Sequence, residues 1–274
     1  MSASYLDRGT GRIAYDVRGE GPLVVCVPGM GDLRSAYRFT VPALLDAGYR
    51  VATMDLRGHG DSDDGFDRYD DVALASDVIA LVEQLGGPAF LVGNSMAAGA
   101  AVLAAAERAE LVTGLGLMGP FVRDPQSGWL TMLAFRLLLL KPWGPGMWRS
   151  YYRRSYPGRP PADLAEHQAR ITASLRRGDH WRSFVRTSHT THRPAEEHLD
   201  DVRTPTLVVM GEKDPDFPDP AAEARFAAER LRGELLLVPE AGHYPMAEYP
   251  ETVNPALVRF VGRAFAAARP GADR

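Results

Sequence analysis

Apolar residues in this 274-residue chain fall into short continuous runs separated by stretches of helical spacing. Leu23 to Val27 is an unbroken apolar run of strand length, the pattern of a strand covered on both faces. Before it, two segments with β-branched and aromatic residues flank Gly9-Thr10-Gly11, and that turn chemistry predicts a hairpin across Ser4 to Arg18. After it come a polar loop, a helix-like stretch ending near Ala47-Gly48, and a strand from Arg50 to Met54. From Asp71 to Leu85, the residues Val72, Ala75, Val78, Ile79, Val82 and Leu85 recur at steps of three and four, the stripe of an amphipathic helix. Gly86-Gly87-Pro88 stops it. Ala89 to Val92 is a short apolar strand, Met96 to Ala106 a helix small on every side and therefore buried, and Leu111 to Met118 the next strand.

The alternation breaks between about Pro120 and Asp201, where no strand pattern appears and Arg, Trp, Tyr, Pro and His accumulate. It resumes with a strand from Thr206 to Met210, a helix from Ala221 to Leu231, a strand from Glu234 to Val238 and a closing helix from Pro255 to Ala267. The tail Arg269 to Arg274 is expected to fray. Strands alternating with helices imply a mostly parallel sheet with helices on both faces, an α/β fold. Residues 1–120 and 201–274 form the expected core domain and 121–200 an inserted helical cap, a division that suits a chain long enough for one large core.

Composition narrows the classes. With 45% hydrophobic and 24% charged residues the chain is neither collagen-like nor disordered. A net charge of −4 supplies no overall basic field, so nucleic acid is not expected as a partner. Cys26, the only cysteine, lies inside the first apolar run and reads as a small core residue. The first eight residues lack the apolar core of a signal peptide, which points to a cytoplasmic protein. The most apolar stretch, Met132 to Leu140, is interrupted by Arg136 and closed by Lys141-Pro142, well short of the roughly 20 residues of a membrane span. A buried or lid helix is expected there, and no membrane span.

Gly93-Asn94-Ser95-Met96-Ala97 joins an apolar strand to the small-residue helix. A serine in a sharp strand-to-helix turn sits on strained backbone, and small residues two before and two after let strand and helix pack closely. Ser95 is the candidate nucleophile, in competition with the ordinary role of a serine at such a junction, which is to cap the helix. The helix start aims its free N–H groups, Met96 first, at any oxyanion formed beside the serine.

A serine hydroxyl is a weak nucleophile without a base, and histidine serves because its ordinary pKa of about 6.5 lies near working pH. Of seven histidines, only His243 directly follows a terminal sheet strand. His59, within Arg57-Gly58-His59-Gly60-Asp61-Ser62, reads as a structural turn residue. The second imidazole nitrogen needs a carboxylate to fix its tautomer and stabilise its cation. Asp214 follows the strand Thr206 to Met210 by a Gly-x-x-Asp step, with Asp216 as its competitor. Val27-Pro28-Gly29-Met30-Gly31-Asp32, after the first central strand, offers the Met30 N–H as a second oxyanion donor, since its two glycines allow close backbone approach.

With these residues in place the chain resembles the α/β-hydrolase superfamily across nearly its whole length, the inserted segment excepted. Asp55-Leu56-Arg57-Gly58-His59-Gly60-Asp61-Ser62 is similar to a turn common in these enzymes, and Gly242-His243 with Glu248-Tyr249-Pro250-Glu251 resembles their catalytic-histidine segment. The resemblance implies an α/β-hydrolase fold and a triad in the order Ser95, Asp214, His243. Pro28 departs from the His that many members carry before the oxyanion-loop glycine. Epoxide hydrolases and haloalkane dehalogenases place Asp where this chain has Ser95, so those chemistries are disfavoured. Cofactor-free haloperoxidases usually show an aromatic residue where Met30 stands. Carbon–carbon bond hydrolases share the Gly93-Asn94-Ser95-Met96 run but usually follow the catalytic His with Trp, whereas this chain has Tyr244.

The segment 121–200 holds 13 Lys and Arg against 7 Asp and Glu, so it carries about +6 while the remainder carries about −10. All four tryptophans fall in it. Trp129, Trp148, Tyr152 and Trp181 are candidates to line a pocket for a small, largely apolar substrate, with Arg149 or Arg153 meeting a carboxylate. A basic solvated surface over aromatic packing is the competing reading. His189 and His192 lack an evident acidic or Cys partner, so no metal is expected, nor any other cofactor. The leading expectation is hydrolysis of an ester or lactone through an acyl-enzyme. Carbon–carbon hydrolysis of a diketone-type ring-cleavage product and haloperoxidase-like chemistry are the enzyme alternatives, and a non-catalytic small-molecule receptor is the alternative of another class. Nothing in the sequence fixes the oligomeric state.

Overall fold

A computed structural model of the chain describes residues 3–125, 134–135 and 137–268. Trp129, Met132 and the tail Arg269–Arg274 lie outside them. Eight strands make one sheet: β1 (Ser4–Asp7), β2 (Arg12–Arg18), β3 (Leu23–Val27), β4 (Arg50–Met54), β5 (Ala89–Asn94), β6 (Val112–Met118), β7 (Thr206–Gly211) and β8 (Glu234–Val238). Their order is β1-β2-β4-β3-β5-β6-β7-β8. The hairpin β1–β2 and the pair β2–β4 are antiparallel, and every later pair is parallel. This is the mostly parallel sheet that the alternation of patterns predicts.

The helices are α1 (Thr40–Asp46), α2 (Asp71–Gln84), α3 (Met96–Glu107), α4 (Gly144–Arg154), α5 (Leu164–Leu175), α6 (His180–Thr187), α7 (Arg193–His198), α8 (Pro220–Leu231), α9 (Pro245–Glu248) and α10 (Pro250–Ala267). Strand periodicity sends alternate residues into different layers. Leu23, Val25 and Val27 pack with α2, α3 and α8, whereas Val24 and Cys26 face α1 and α10. Cys26 is fully buried, and burial pushes its thiol well above the usual range. The start of α2 is fixed by Asp70, whose side chain accepts from the Ala73 N–H at 2.9 Å. The run Met96 to Ala105 in α3 is buried throughout, as its small side chains predict.

Helices α4 to α7 lie between β6 and β7. They pack on the core from both sides: Trp148, Tyr152, Ile171 and Phe184 extend the layer of α1 and α10, and Ala195 and Leu199 the layer of α2 and α3. Polar ties add to the packing. Arg38 grips Asp163 with two bonds of 2.6 and 2.7 Å, and the Gly60 N–H donates to Ser174 Oγ at 2.8 Å.

Two details depart from the sequence reading. The last helix begins at Pro250, five residues before Pro255. Proline fits the first helical position because its missing N–H has no partner there anyway, and Pro250 takes that role while Pro255 sits inside the helix. The short helix α9 directly follows the His243 loop and was not expected. Of the apolar stretch expected as a buried or lid helix, residues 134–135 and 137–138 are helical, with Leu139 buried and Leu137, Leu138 and Leu140 exposed. Among the described residues no helix is long and apolar enough to cross a membrane.

The turn after β4 is built around the buried carboxylate of Asp55. It accepts from the Arg34 N–H at 2.7 Å, from the Asp61 N–H at 3.1 Å and from the Arg34 guanidinium. Burial pushes the Asp55 carboxyl above its ordinary range even so. Removing one member of such a pair strands the other in a poorly solvated place. Asp55→Ala is therefore expected to lower stability by about 3–5 kcal/mol, measured by urea unfolding against the parent; a loss under about 1 kcal/mol would show that water replaces the pair.

Candidate active site

Ser95 follows β5 at φ 58 and ψ −127, a backbone conformation that only a tightly packed site maintains in a non-glycine residue. Its N–H donates to the Met118 carbonyl at 3.0 Å, and its own carbonyl accepts from Ala98 at 3.0 Å and from Phe121 at 3.2 Å. Its side chain makes no capping bond to α3, so the hydroxyl is not spent as the competing reading supposed. Two glycines make the turn fit: a Cβ on Gly93 would run into the Ala97 carbonyl, and one on Gly29 would come within 2.7 Å of the Ser95 Cβ. The loop after β3 is thus pressed against Ser95. Met30, within that loop, packs partly buried between the two core layers. Met96 opens α3, where the first amides have no acceptor inside the helix.

The histidine loop is tied to the same strand. Asn94 Nδ2 donates to the Met118 carbonyl at 3.0 Å and to the His243 carbonyl at 3.2 Å, so the residue preceding Ser95 holds the backbone of His243. His243 N–H donates to the Ser155 carbonyl at 3.0 Å, and Glu248, the last residue of α9, accepts the Gly242 N–H at 2.6 Å. The His243 Nδ1 lies 2.7 Å from Asp214 Oδ2 and 3.4 Å from Asp216 Oδ2. Both carboxylates that the sequence left in competition therefore face one nitrogen, Asp214 the closer. Asp216 also accepts from the Tyr151 hydroxyl of α4, and its N–H bonds Asp214 Oδ1 at 3.0 Å.

Burial disfavours an imidazolium, yet the charges of Asp214 and Asp216 outweigh it and raise the His243 pKa to about 9. Asp214, Asp216 and His243 also bring three ligand-type atoms within 4.8 Å of one another. His243 Nδ1 lies at hydrogen-bond distance from Asp214, and the Tyr151 hydroxyl donates to Asp216.

Several contributors carry no strong sequence signal. Phe121 places its ring 5.9 Å from that of His243 and 4.6 Å from that of Phe217, forming an apolar wall. Asp32 is fully buried just after the Gly29-Met30-Gly31 turn. It bonds His167 Nε2 at 2.7 Å and the Tyr152 hydroxyl at 2.8 Å, both from the inserted segment. Its place beside two loop glycines was the available hint. His192, for which no acidic partner was evident, meets Asp71 of α2 at 2.7 Å because folding brings α2 and the end of the insert together.

The aromatic candidates of the insert are spent largely on packing. Trp148 donates to the Gly31 carbonyl at 3.3 Å, Tyr152 holds Asp32, and Trp181 is buried against Phe184 at 5.0 Å between rings. Arg149 and Arg153 are exposed. Trp129 falls outside the described residues.

His59 has a structural part, as the sequence suggested. Its Nε2 accepts from the Gly31 N–H at 3.1 Å, and Nδ1 lies 2.9 Å from the Arg57 carbonyl, which assigns the proton to Nδ1. Burial lowers its pKa from 6.5 to about 4. Below pH 6.5 the unfolded chain binds a proton that the folded one refuses, so this site withdraws stability as pH falls toward 4, by roughly 3 kcal/mol in full. His59→Asn lacks that titration. Its unfolding free energy is expected to fall less than the parent's between about pH 7 and pH 4.5, and equal losses measured in urea would remove His59 from the account.

Known proteins agree with this architecture. A model of the alpha/beta hydrolase family matches residues 24–256. A Mycobacterium tuberculosis protein named for a non-heme bromoperoxidase is 30% identical over 268 residues, covering 90% of this chain and 97% of the relative. A 2-hydroxy-6-oxononadienedioate/2-hydroxy-6-oxononatrienedioate hydrolase of Burkholderia vietnamiensis is 29% identical over 278 residues, covering 96% and 92%. Among solved structures, an esterase from Exiguobacterium antarcticum superposes with a TM-score of 0.80 at 24% identity, covering 92% of this chain and 96% of that one.

Proposed function

Because this chain belongs to the alpha/beta hydrolase family, we propose that it is a serine hydrolase cleaving an ester or lactone of a small, largely apolar substrate through an acyl-enzyme. The observation that carries this reading is the 2.7 Å contact between Asp214 and His243 Nδ1, which fixes the tautomer and leaves Nε2 to face a nucleophile. Asn94 supports it by tying the His243 backbone to the strand that ends at Ser95.

In this mechanism Ser95 Oγ attacks the carbonyl carbon while His243 Nε2 takes the hydroxyl proton. The imidazolium is stabilised by Asp214 and Asp216, and the oxyanion by the N–H groups of Met30 and Met96. His243 then returns the proton to the leaving alkoxide. Water, deprotonated by the same nitrogen, attacks the acyl group and regenerates Ser95. Residues 121–200 act as the cap, holding the oxyanion loop through Trp148 and Tyr152 and the acid side through Tyr151. Carbon–carbon hydrolysis of a diketone-type substrate is the second reading, favoured by the 29% identity to the Burkholderia enzyme. Side-by-side assay of aryl esters and a ring-cleavage product separates the two.

A fluorophosphonate probe is expected to add one label to the parent and none to Ser95→Ala, read by intact mass; equal labelling of both would refute the nucleophile. Asp214→Asn is expected to lower kcat by on the order of 10⁴ through the wrong tautomer, and Asp216→Asn by far less. The reverse ranking would move the orienting role to Asp216.

The pH dependence has a definite sign. His243 must be neutral to accept the proton, so kcat/KM is expected to rise with pH toward a plateau above about 9. Asp216→Asn removes one of the charges that hold the imidazolium, so the midpoint of the rise should move to lower pH. A midpoint unmoved by that substitution would exclude Asp216 from tuning the base.

A further inference from the structure

Residues 125–162 contain no Asp or Glu, while Arg136, Lys141, Arg149, Arg153, Arg154 and Arg159 supply six cations. Within this stretch Lys141, Arg149 and Arg153 are exposed and make no ion pair among the described residues. Beside them stand Leu137, Leu138, Leu140, Trp143 and Met147, exposed by 52, 44, 47, 54 and 40%. Six large apolar side chains are exposed by 40% or more among the described residues, and five of them fall within these eleven positions. Singly scattered apolar residues are ordinary on a surface, but a contiguous patch ringed by one sign of charge marks an interaction site. The patch is also held in shape, since the Trp143 indole N–H donates to the Leu137 carbonyl at 3.0 Å.

The patch continues inward. A groove of about 110 Å³, lined by Leu138, Leu139, Met147, Trp148, Tyr151 and Arg154, opens beside it. Its inner residue Tyr151 bonds Asp216, which faces His243.

We propose that this tip, from Leu137 to Arg153, docks onto an anionic lipid surface. Leu137, Leu140 and Trp143 enter the headgroup boundary, as apolar and indole side chains do at interfaces, and Lys141, Arg149 and Arg153 pair with lipid phosphates. The charge distribution orients the protein: the inserted segment carries about +6 and the remainder about −10, so the acidic body is repelled by the surface that attracts the tip. A two-fold contact with a second copy would set these unpaired cations against themselves. Docking does not depend on the chemistry proposed for Ser95, and its test reads binding alone.

The test is co-sedimentation of the whole chain with vesicles of phosphatidylcholine, with and without one quarter phosphatidylglycerol. Binding to the anionic vesicles should exceed binding to the neutral ones at least tenfold and weaken with added salt. Lys141→Glu and Leu140→Asp should each reduce it by roughly fivefold or more, with the melting temperature and the rate of fluorophosphonate labelling unchanged. Two substitutions at exposed positions guard against a misfolded variant. No sedimentation with anionic vesicles, or sedimentation unchanged in both variants, overturns the proposal. So does a concentration-dependent dimer that Leu140→Asp dissolves, which would assign the patch to a second copy.

Discussion

Ser95 occupies backbone space that a non-glycine residue reaches at a cost of roughly 1–3 kcal/mol, and the carboxyl edge of the sheet is arranged so that it stays there. Its amide and carbonyl are both used, by Met118 on one side and by Ala98 and Phe121 on the other. The turn can close only because Gly93 and Ala97 bring β5 and α3 together, and Gly29 brings the loop after β3 against the same point. Asn94 then carries the constraint across β6 to the backbone of His243. The candidate nucleophile, the candidate base and the loop after β3 are in this way attached to one rigid strand end rather than to three independent loops.

A second pattern follows from burial. Five buried acids each have a cation or an imidazole at hydrogen-bond distance: Asp55 with Arg34, Asp77 with Arg57, Asp71 with His192, Asp32 with His167 and Asp214 with His243. An unpaired carboxylate at such depth costs several kcal/mol. Two of these pairs draw their histidine from the inserted segment, which is therefore fastened to the core by electrostatics as well as by its tryptophans.

The regular elements were legible in the sequence because their information is local. Five apolar residues in a row at Leu23 to Val27, and the stripe through α2, say what they are without reference to anything distant. So does the small-residue start of α3, and with it Ser95. His243 could be found by its position after the last strand. Legibility failed where identity is set by a partner far along the chain. Nothing near Asp32 announces His167, some 130 residues later, and nothing near His192 announces Asp71. The Gly-x-x-Asp step put Asp214 ahead of its competitor Asp216 in the sequence, and the distances to one nitrogen give the same order. The leucines after Phe135 left buried and lid positions open for the opposite reason: an apolar run states that side chains avoid water, not which surface they find instead.

Tyr151 gives the insert a reach beyond shape. With Asp216 contributing to the raised pKa of His243, the hydroxyl on that carboxylate comes from α4 of the inserted segment. An engineer who replaces the inserted segment to admit a new substrate also removes that donor from the carboxylate beside His243. Under the proposed mechanism, substrate range and working pH are therefore linked traits, and a chimera chosen for one inherits a change in the other.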